Sequence, residues 1–153
     1  MTPAEIAQAQ LDAYNAQDID ALCRYYADDV EVADLNETPN LKGVAGYREK
    51  QGQVTQAREK IEAGARALGF EILGKPQLGI VAFRHPDVAS LAVWSKLRER
   101  GWFASLTTEP QSLHLMLSPF HAQVADQYLA DLAWALGEAR SAAPTATKEV
   151  RYS

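Results

Sequence analysis

Three residues near the N-terminal end could do chemistry by type and position: Asp34, Tyr14 and Tyr26. The stretch "DDVEVADL" alternates like a strand, placing Val30, Val32 and Asp34 on one face and Glu31, Ala33 and Leu35 on the other. A carboxylate sharing a face with two valines is partly desolvated, which raises its pKa and suits it to act as a general base. On turn chemistry alone, an aspartate at a strand end before "NETPN" instead hydrogen-bonds the backbone of a turn. Tyr14 and Tyr26, with Tyr25 beside it, could line a substrate pocket next to Asp34, or serve as plain core at helical spacing.

The remaining chemistry-bearing types make weaker patterns. His85, Asp87, His114 and His121 show neither H-x-H nor H-E-x-x-H spacing, so no metal site is expected. Cys23 is the only cysteine, which rules out a disulfide within the chain and reads as a small buried apolar group. "LGKP" lacks the glycine spacing and the following Ser or Thr of a phosphate loop and reads as a hairpin turn. No serine or cysteine stands in a nucleophile-elbow context, and "SKLRERGW" is a solvated helix end rather than a nucleic-acid patch.

The elements that would position these residues fall into two groups. In front, Thr2, Pro3 and Glu5 form a helix start with a capping box, and Ala7, Leu11 and Tyr14 share one face. Asp18 caps a second short helix that carries Leu22, Tyr25 and Tyr26 inward, and the strand follows. Behind, a long helix runs from Tyr47 to about Leu68, with Tyr47, Val54, Ile61 and Leu68 seven apart and Gly69 ending it. "FEIL" and "LGIVAF" read as strands, "DVASLAVWSKLRER" as a helix capped by Asp87 and stopped by Gly101, "WFASLT" and "SLHLML" as strands, and "HAQVADQYLADLAWALGEAR" as a last helix. The expected fold is therefore α+β. N-terminal helices and a short strand lead through a long connecting helix to an antiparallel or mixed sheet of about four strands, with helices on one face.

Charge divides the chain at the same place as the pattern. Residues 1–43 hold nine acidic and two basic residues, a balance of −7, whereas residues 44–153 hold eleven and thirteen, a balance of +2. The total of −5 argues against a nucleic-acid partner. No apolar run approaches the roughly 20 residues of a membrane span, and "MTPAEIAQAQ" lacks the regions of a secretory signal, so a soluble cytoplasmic protein is expected.

Two resemblances sharpen this division. "IAQAQLDAYNAQDIDALCRYYADDVEVAD" followed by "LKGVAGYRE" resembles the opening of the nuclear transport factor 2-like superfamily, which includes steroid isomerases and SnoaL-type polyketide cyclases. That resemblance implies a curved sheet around a cone-shaped pocket, with Asp34 as the isomerase base and Gln10 where the family has a hydrogen-bonding tyrosine. "LGKPQLGIVAF", "LRERGW", "SLHLMLSPFHAQVADQYLADL" and "KEVRY" resemble the C-terminal small domain of pyridoxal-phosphate-dependent lyases and decarboxylases, of the sphingosine-1-phosphate lyase type. In that family a larger domain holds the cofactor, and its Schiff-base lysine follows a histidine, a pair absent from this sequence.

The resulting expectation is a fusion of two incomplete domains: residues 1–45 of one kind, 46–140 of the other, and a mobile tail over 141–153. "GVAGYREK" would serve as the splice. Such a chain is expected to bind no cofactor of its own, to act as a non-catalytic packing module that self-associates as a homodimer, and to accept at most a small apolar ligand. The alternative is a small-molecule-binding protein or weak isomerase built on Asp34.

Overall fold

A computed structural model of the chain describes residues 1–16, 18–33, 39–76 and 79–142. Helix α1 (Pro3–Asn15) opens with the expected capping box: Thr2 accepts from the Glu5 amide, and the Glu5 carboxylate accepts from the Thr2 amide. Asp18 accepts from the Ala21 amide and starts α2 (Ile19–Cys23), which buries Leu22 and Cys23. The expected inward face of α1 is not the one buried. Leu11 and Tyr14 are exposed, and Ala13 is covered instead. A five-residue neighbour covers only a narrow strip of a 13-residue helix, and α1 meets α2 there.

Strand β1 (Glu31–Ala33) pairs antiparallel with β2 (Pro39–Lys42), in a register that places Glu31 opposite Lys42 and shifts between Val32 and Ala33. The second strand was hidden in the sequence by Pro39 and Asn40, which read as turn residues. Proline is tolerated at the first position of a strand that pairs on one side only. At the junction, β2 gives way to α3 (Gly43–Ala67) without a loop. Gly43 makes that corner with φ +72°, its amide donating to the Val30 carbonyl at 2.6 Å. Gly43 thus ends one hairpin and begins the long helix.

Helix α3 buries Val54 and Ile61 of the expected stripe, with Ala57 and Ala65 between, leaves Tyr47 and Leu68 half-buried, and also buries Arg58, which faces the Glu62 carboxylate at 3.1 Å. It ends as expected at Gly69. The Gly69 amide donates to the Arg66 carbonyl and the Phe70 amide to the Ala65 carbonyl, the paired bonds of a Schellman motif. The same motif closes α4 (Ser90–Glu99) at Gly101, where the Trp102 amide reaches the Leu97 carbonyl. Asp87 does not cap α4. The helix starts after Ala89, two residues beyond Asp87, with no side-chain cap, and the Asp87 amide donates to His85 Nδ1 at 3.1 Å.

Strands β3 (Glu71–Ile72), β4 (Ile80–Arg84), β5 (Ser105–Thr108) and β6 (Gln111–Met116) form one antiparallel sheet in the order β3-β4-β6-β5. Their alternation turns Ile72, Val81, Phe83, Leu113, Leu115 and Leu106 toward α3, α4 and α5 (His121–Ser141). There Phe83 is sealed against Phe70 edge-to-face at 5.4 Å, beside Val93, Leu97 and Leu132. This is the expected α+β layer, with helices on one face. The β1–β2 hairpin is a separate sheet, so the described strands do not build the cone implied by the front-segment resemblance.

Gly79 sets how closely β4 approaches the chain after β6. A Cβ there would lie 2.6 Å from the Leu117 carbonyl oxygen and 2.9 Å from Val54 Cγ1, and the Leu117 amide donates to the Gly79 carbonyl. Gly79→Ala is expected to destabilise the fold by about 1–3 kcal/mol, as an overpacked site pinned by backbone. Urea denaturation checks this, and a change below about 0.5 kcal/mol, the range of an ordinary surface substitution, would refute the close approach.

Candidate functional site

The face of the four-stranded sheet away from the helices is graded from charged to apolar. At one end Arg84 of β4 pairs with Glu71 of β3 at 3.2 Å, beside the Ser112–Thr107 hydroxyl pair. The middle row holds Ala82, His114 and Ser105. At the far end Ile80 is opposite Met116, while Phe103, before β5, has the Arg98 guanidinium of α4 5.3 Å from its ring centre. These three are 47%, 71% and 82% exposed, and Phe120 nearby is 61% exposed. Isolated exposed apolar side chains are ordinary; here Ile80 and Met116 form an exposed apolar row across two paired strands.

Beside that row the chain before β5 diverges from the end of β6 and leaves a cleft of about 340 Å³. Its floor is one face of α5, contributed by His121, Val124, Ala125 and Tyr128, with Trp102 and Leu115 as walls and Phe103 and Met116 at the rim. His121 is held at the start of α5 by the Ser118 amide, which donates to its Nδ1 at 2.8 Å. Tyr128 packs edge-on against Trp102 at 5.1 Å, and burial holds its hydroxyl well above the usual tyrosine range.

A second cleft, of about 420 Å³, lies at the charged end between β3, β4 and the approach to α4. His85 is buried there, with Nδ1 accepting from the Asp87 amide and Nε2 at 2.8 Å from the Arg140 guanidinium of α5. It ties the end of β4 to the last turn of α5. His85 thus stands apart, whereas His114 and His121 both line the first cleft. Among the described residues no group of three His, Cys, Asp or Glu side chains could hold a metal ion.

Of the residues proposed from the sequence, Asp34 lies outside the described residues. Tyr14 is an exposed residue of α1. Tyr26 is half-buried against Tyr47 of α3, ring centres 4.8 Å apart. The Tyr47 hydroxyl is pushed up to about 12, first by burial and then by its hydrogen bond with Tyr26. Neither Tyr14 nor Tyr26 lines either cleft.

Sequence reasoning missed Asp131. This buried carboxylate of α5 accepts from Trp102 Nε1 at 2.8 Å and Gln127 Nε2 at 3.0 Å, and faces Arg100 at 3.1 Å. The Trp102 and Gln127 bonds, with the Arg100 charge, hold it below the usual carboxylate range against the opposing effect of burial. The available signal was an acid one residue off the Ala125–Tyr128–Leu132 stripe, in a chain that also holds "RGW" after a helix.

No lysine lines either cleft. Lys60 pairs with Asp126 at 2.6 Å, Lys96 with Glu99 at 2.7 Å and Lys42 with Glu31 at 3.7 Å, all at the surface. A pyridoxal phosphate site needs a Schiff-base lysine facing a phosphate cup and a wall for the ring, and the residues of these clefts do not fit one. No helix is long and apolar enough to cross a membrane.

No family model matches the chain. It is similar to proteins of one functional class, lyases and decarboxylases. It is 30% identical over 91 residues to a sphingosine-1-phosphate lyase of Oryza sativa, covering 59% of this chain and 17% of the relative. It is 36% identical over 91 residues to a probable L-tyrosine/L-aspartate decarboxylase of Methanothrix thermoacetophila, covering 59% and 23%. Among solved structures, the sphingosine-1-phosphate lyase of Burkholderia pseudomallei superposes with a TM-score of 0.60 at 27% identity, over 63% of this chain and 22% of that one. The matched regions thus span about a fifth of each relative's length. These matches support the lyase resemblance of the rear segment and not the nuclear transport factor 2 resemblance of the front.

Proposed function

We propose that the chain is a non-catalytic α+β packing module, derived from the small domain of a pyridoxal-phosphate-dependent lyase, that self-associates through its open sheet face. Residues 46–140 form the lyase-like unit in this reading, residues 1–45 are an added segment, and 141–153 are a mobile tail. The single observation that carries the proposal is the exposed apolar row of Ile80 and Met116 on the sheet face opposite the helices.

A second copy suits the row because the same patch on two chains meets itself in a two-fold pair. Light scattering over a dilution series is expected to show the 16.8 kDa chain moving from dimer to monomer as concentration falls. Monomer at all concentrations would end the self-association proposal. The non-catalytic part is tested separately: pyridoxal phosphate should form no stable imine that borohydride fixes to one lysine.

A further inference from the structure

We infer that the cleft between α5 and the diverging ends of β5 and β6 is a binding site for a small aromatic monocarboxylate without an amine. Three observations carry it. The volume, about 340 Å³, is within the range of small-molecule sites, and Trp102 and Phe103 bring aromatic carbon to a lining that also holds Val124 and Leu115. Ser105 and His114, which also line it, are opposite each other in the β5–β6 register, so their side chains are neighbours on one face. Neither of these two side chains has a hydrogen-bond partner among the described residues. Third, the lining includes no Asp, Glu, Lys or Arg.

These groups select the charge of the guest. The Ser105 hydroxyl and a ring N–H of His114 can each donate. His121 adds a third donor to the lining: its Nδ1 accepts from the Ser118 amide at 2.8 Å, so its ring proton is on Nε2. A carboxylate only accepts, and a hydrogen bond to an ionised acceptor is about twice as strong as one between neutral groups. No acid in the lining repels it. An ammonium group finds no carboxylate there, which excludes amines and amino acids, and a phosphate dianion finds no lysine or arginine to balance its second charge. The Tyr128 hydroxyl is sealed from solvent and takes no part.

The inference is independent of self-association. The probe, phenylacetate, is titrated into the wild type and into Ile80→Ser, a neutral change outside the cleft lining, so that the result does not depend on whether two copies meet. It is expected to shift the His114 and His121 ring C–H resonances and the Trp102 indole N–H saturably in both proteins, and to raise the melting temperature. Phenethylamine, with the same ring and the opposite charge, should give no saturable shift. Phenylacetamide, of the same shape but uncharged, should bind about tenfold more weakly than phenylacetate. His114→Phe keeps a ring and removes both nitrogens, and should weaken phenylacetate about tenfold. Ser105→Ala, a small truncation at an exposed position, should weaken it about threefold without changing the melting temperature of the free protein. The inference is overturned if phenylacetate gives no saturable shift, if phenethylamine or phenylacetamide binds as tightly, or if His114→Phe and Ser105→Ala both keep the wild-type affinity.

Discussion

Asp131→Ala is expected to lower the unfolding free energy by about 1–3 kcal/mol, the cost of orphaning the Trp102 and Gln127 donors of two part-buried bonds, since the Arg100 side chain is 45% exposed and recovers water. The substitution deletes the acceptor of the Trp102 and Gln127 side chains and leaves the Arg100 guanidinium without its carboxylate. Trp102 is then free to leave Tyr128, so the α4–β5 connection loosens from α5 together with the cleft wall. Because these contacts hold the carboxyl below its ordinary value of 3.8, they stabilise the folded state most where the unfolded carboxyl is also ionised, well above pH 4. That contribution falls away as pH drops through 3.8 toward the lower folded value, and below both it is gone. Urea unfolding followed by tryptophan fluorescence at pH 7 and at pH 3 checks both parts. The wild type should lose more stability between the two than Asp131→Asn, which keeps an acceptor for Trp102 but not the titration. A loss below about 1 kcal/mol for Asp131→Ala at pH 7, or equal acid sensitivity in the two proteins, would contradict this reading.

The parts of the fold that were legible in the sequence are those governed by local chemistry. Thr2 and Glu5, Asp18, Gly69 and Gly101 end or begin helices through bonds to backbone within a few residues, and each does so in the structure. The Val54–Ile61 stripe was legible because a long helix over a sheet must bury a continuous seam. Non-local effects were not. Leu11 and Tyr14 have the spacing of a buried face, but what covers a face is decided by the length of its neighbour. Asp87 has the right type for a cap, yet α4 begins two residues later than that cap requires, after Ala89. The candidate surface was invisible for a further reason. Ile80 and Met116 come from two chain segments, and only the β4–β6 register brings them into one row.

That row makes a second strong prediction. The double variant Ile80→Lys with Met116→Lys should abolish self-association over the range where the wild type pairs, raising the dissociation constant at least a hundredfold. Two opposite-strand lysines would place like charges on each copy against those of its partner, and a closed two-fold interface repeats every such clash. Folding should change little. Both side chains are largely in water already, and surface substitutions of that kind fall within about 0.5 kcal/mol. Leu11→Lys with Tyr14→Lys on α1 is the matching control. It removes two exposed apolar groups of similar size from a different surface and should leave the dimer intact. Sedimentation equilibrium of the three proteins at equal concentrations separates the outcomes. If the α1 pair dissolves the dimer and the sheet pair does not, the interface is on the front segment, and the open face of the sheet is not the surface through which two copies meet.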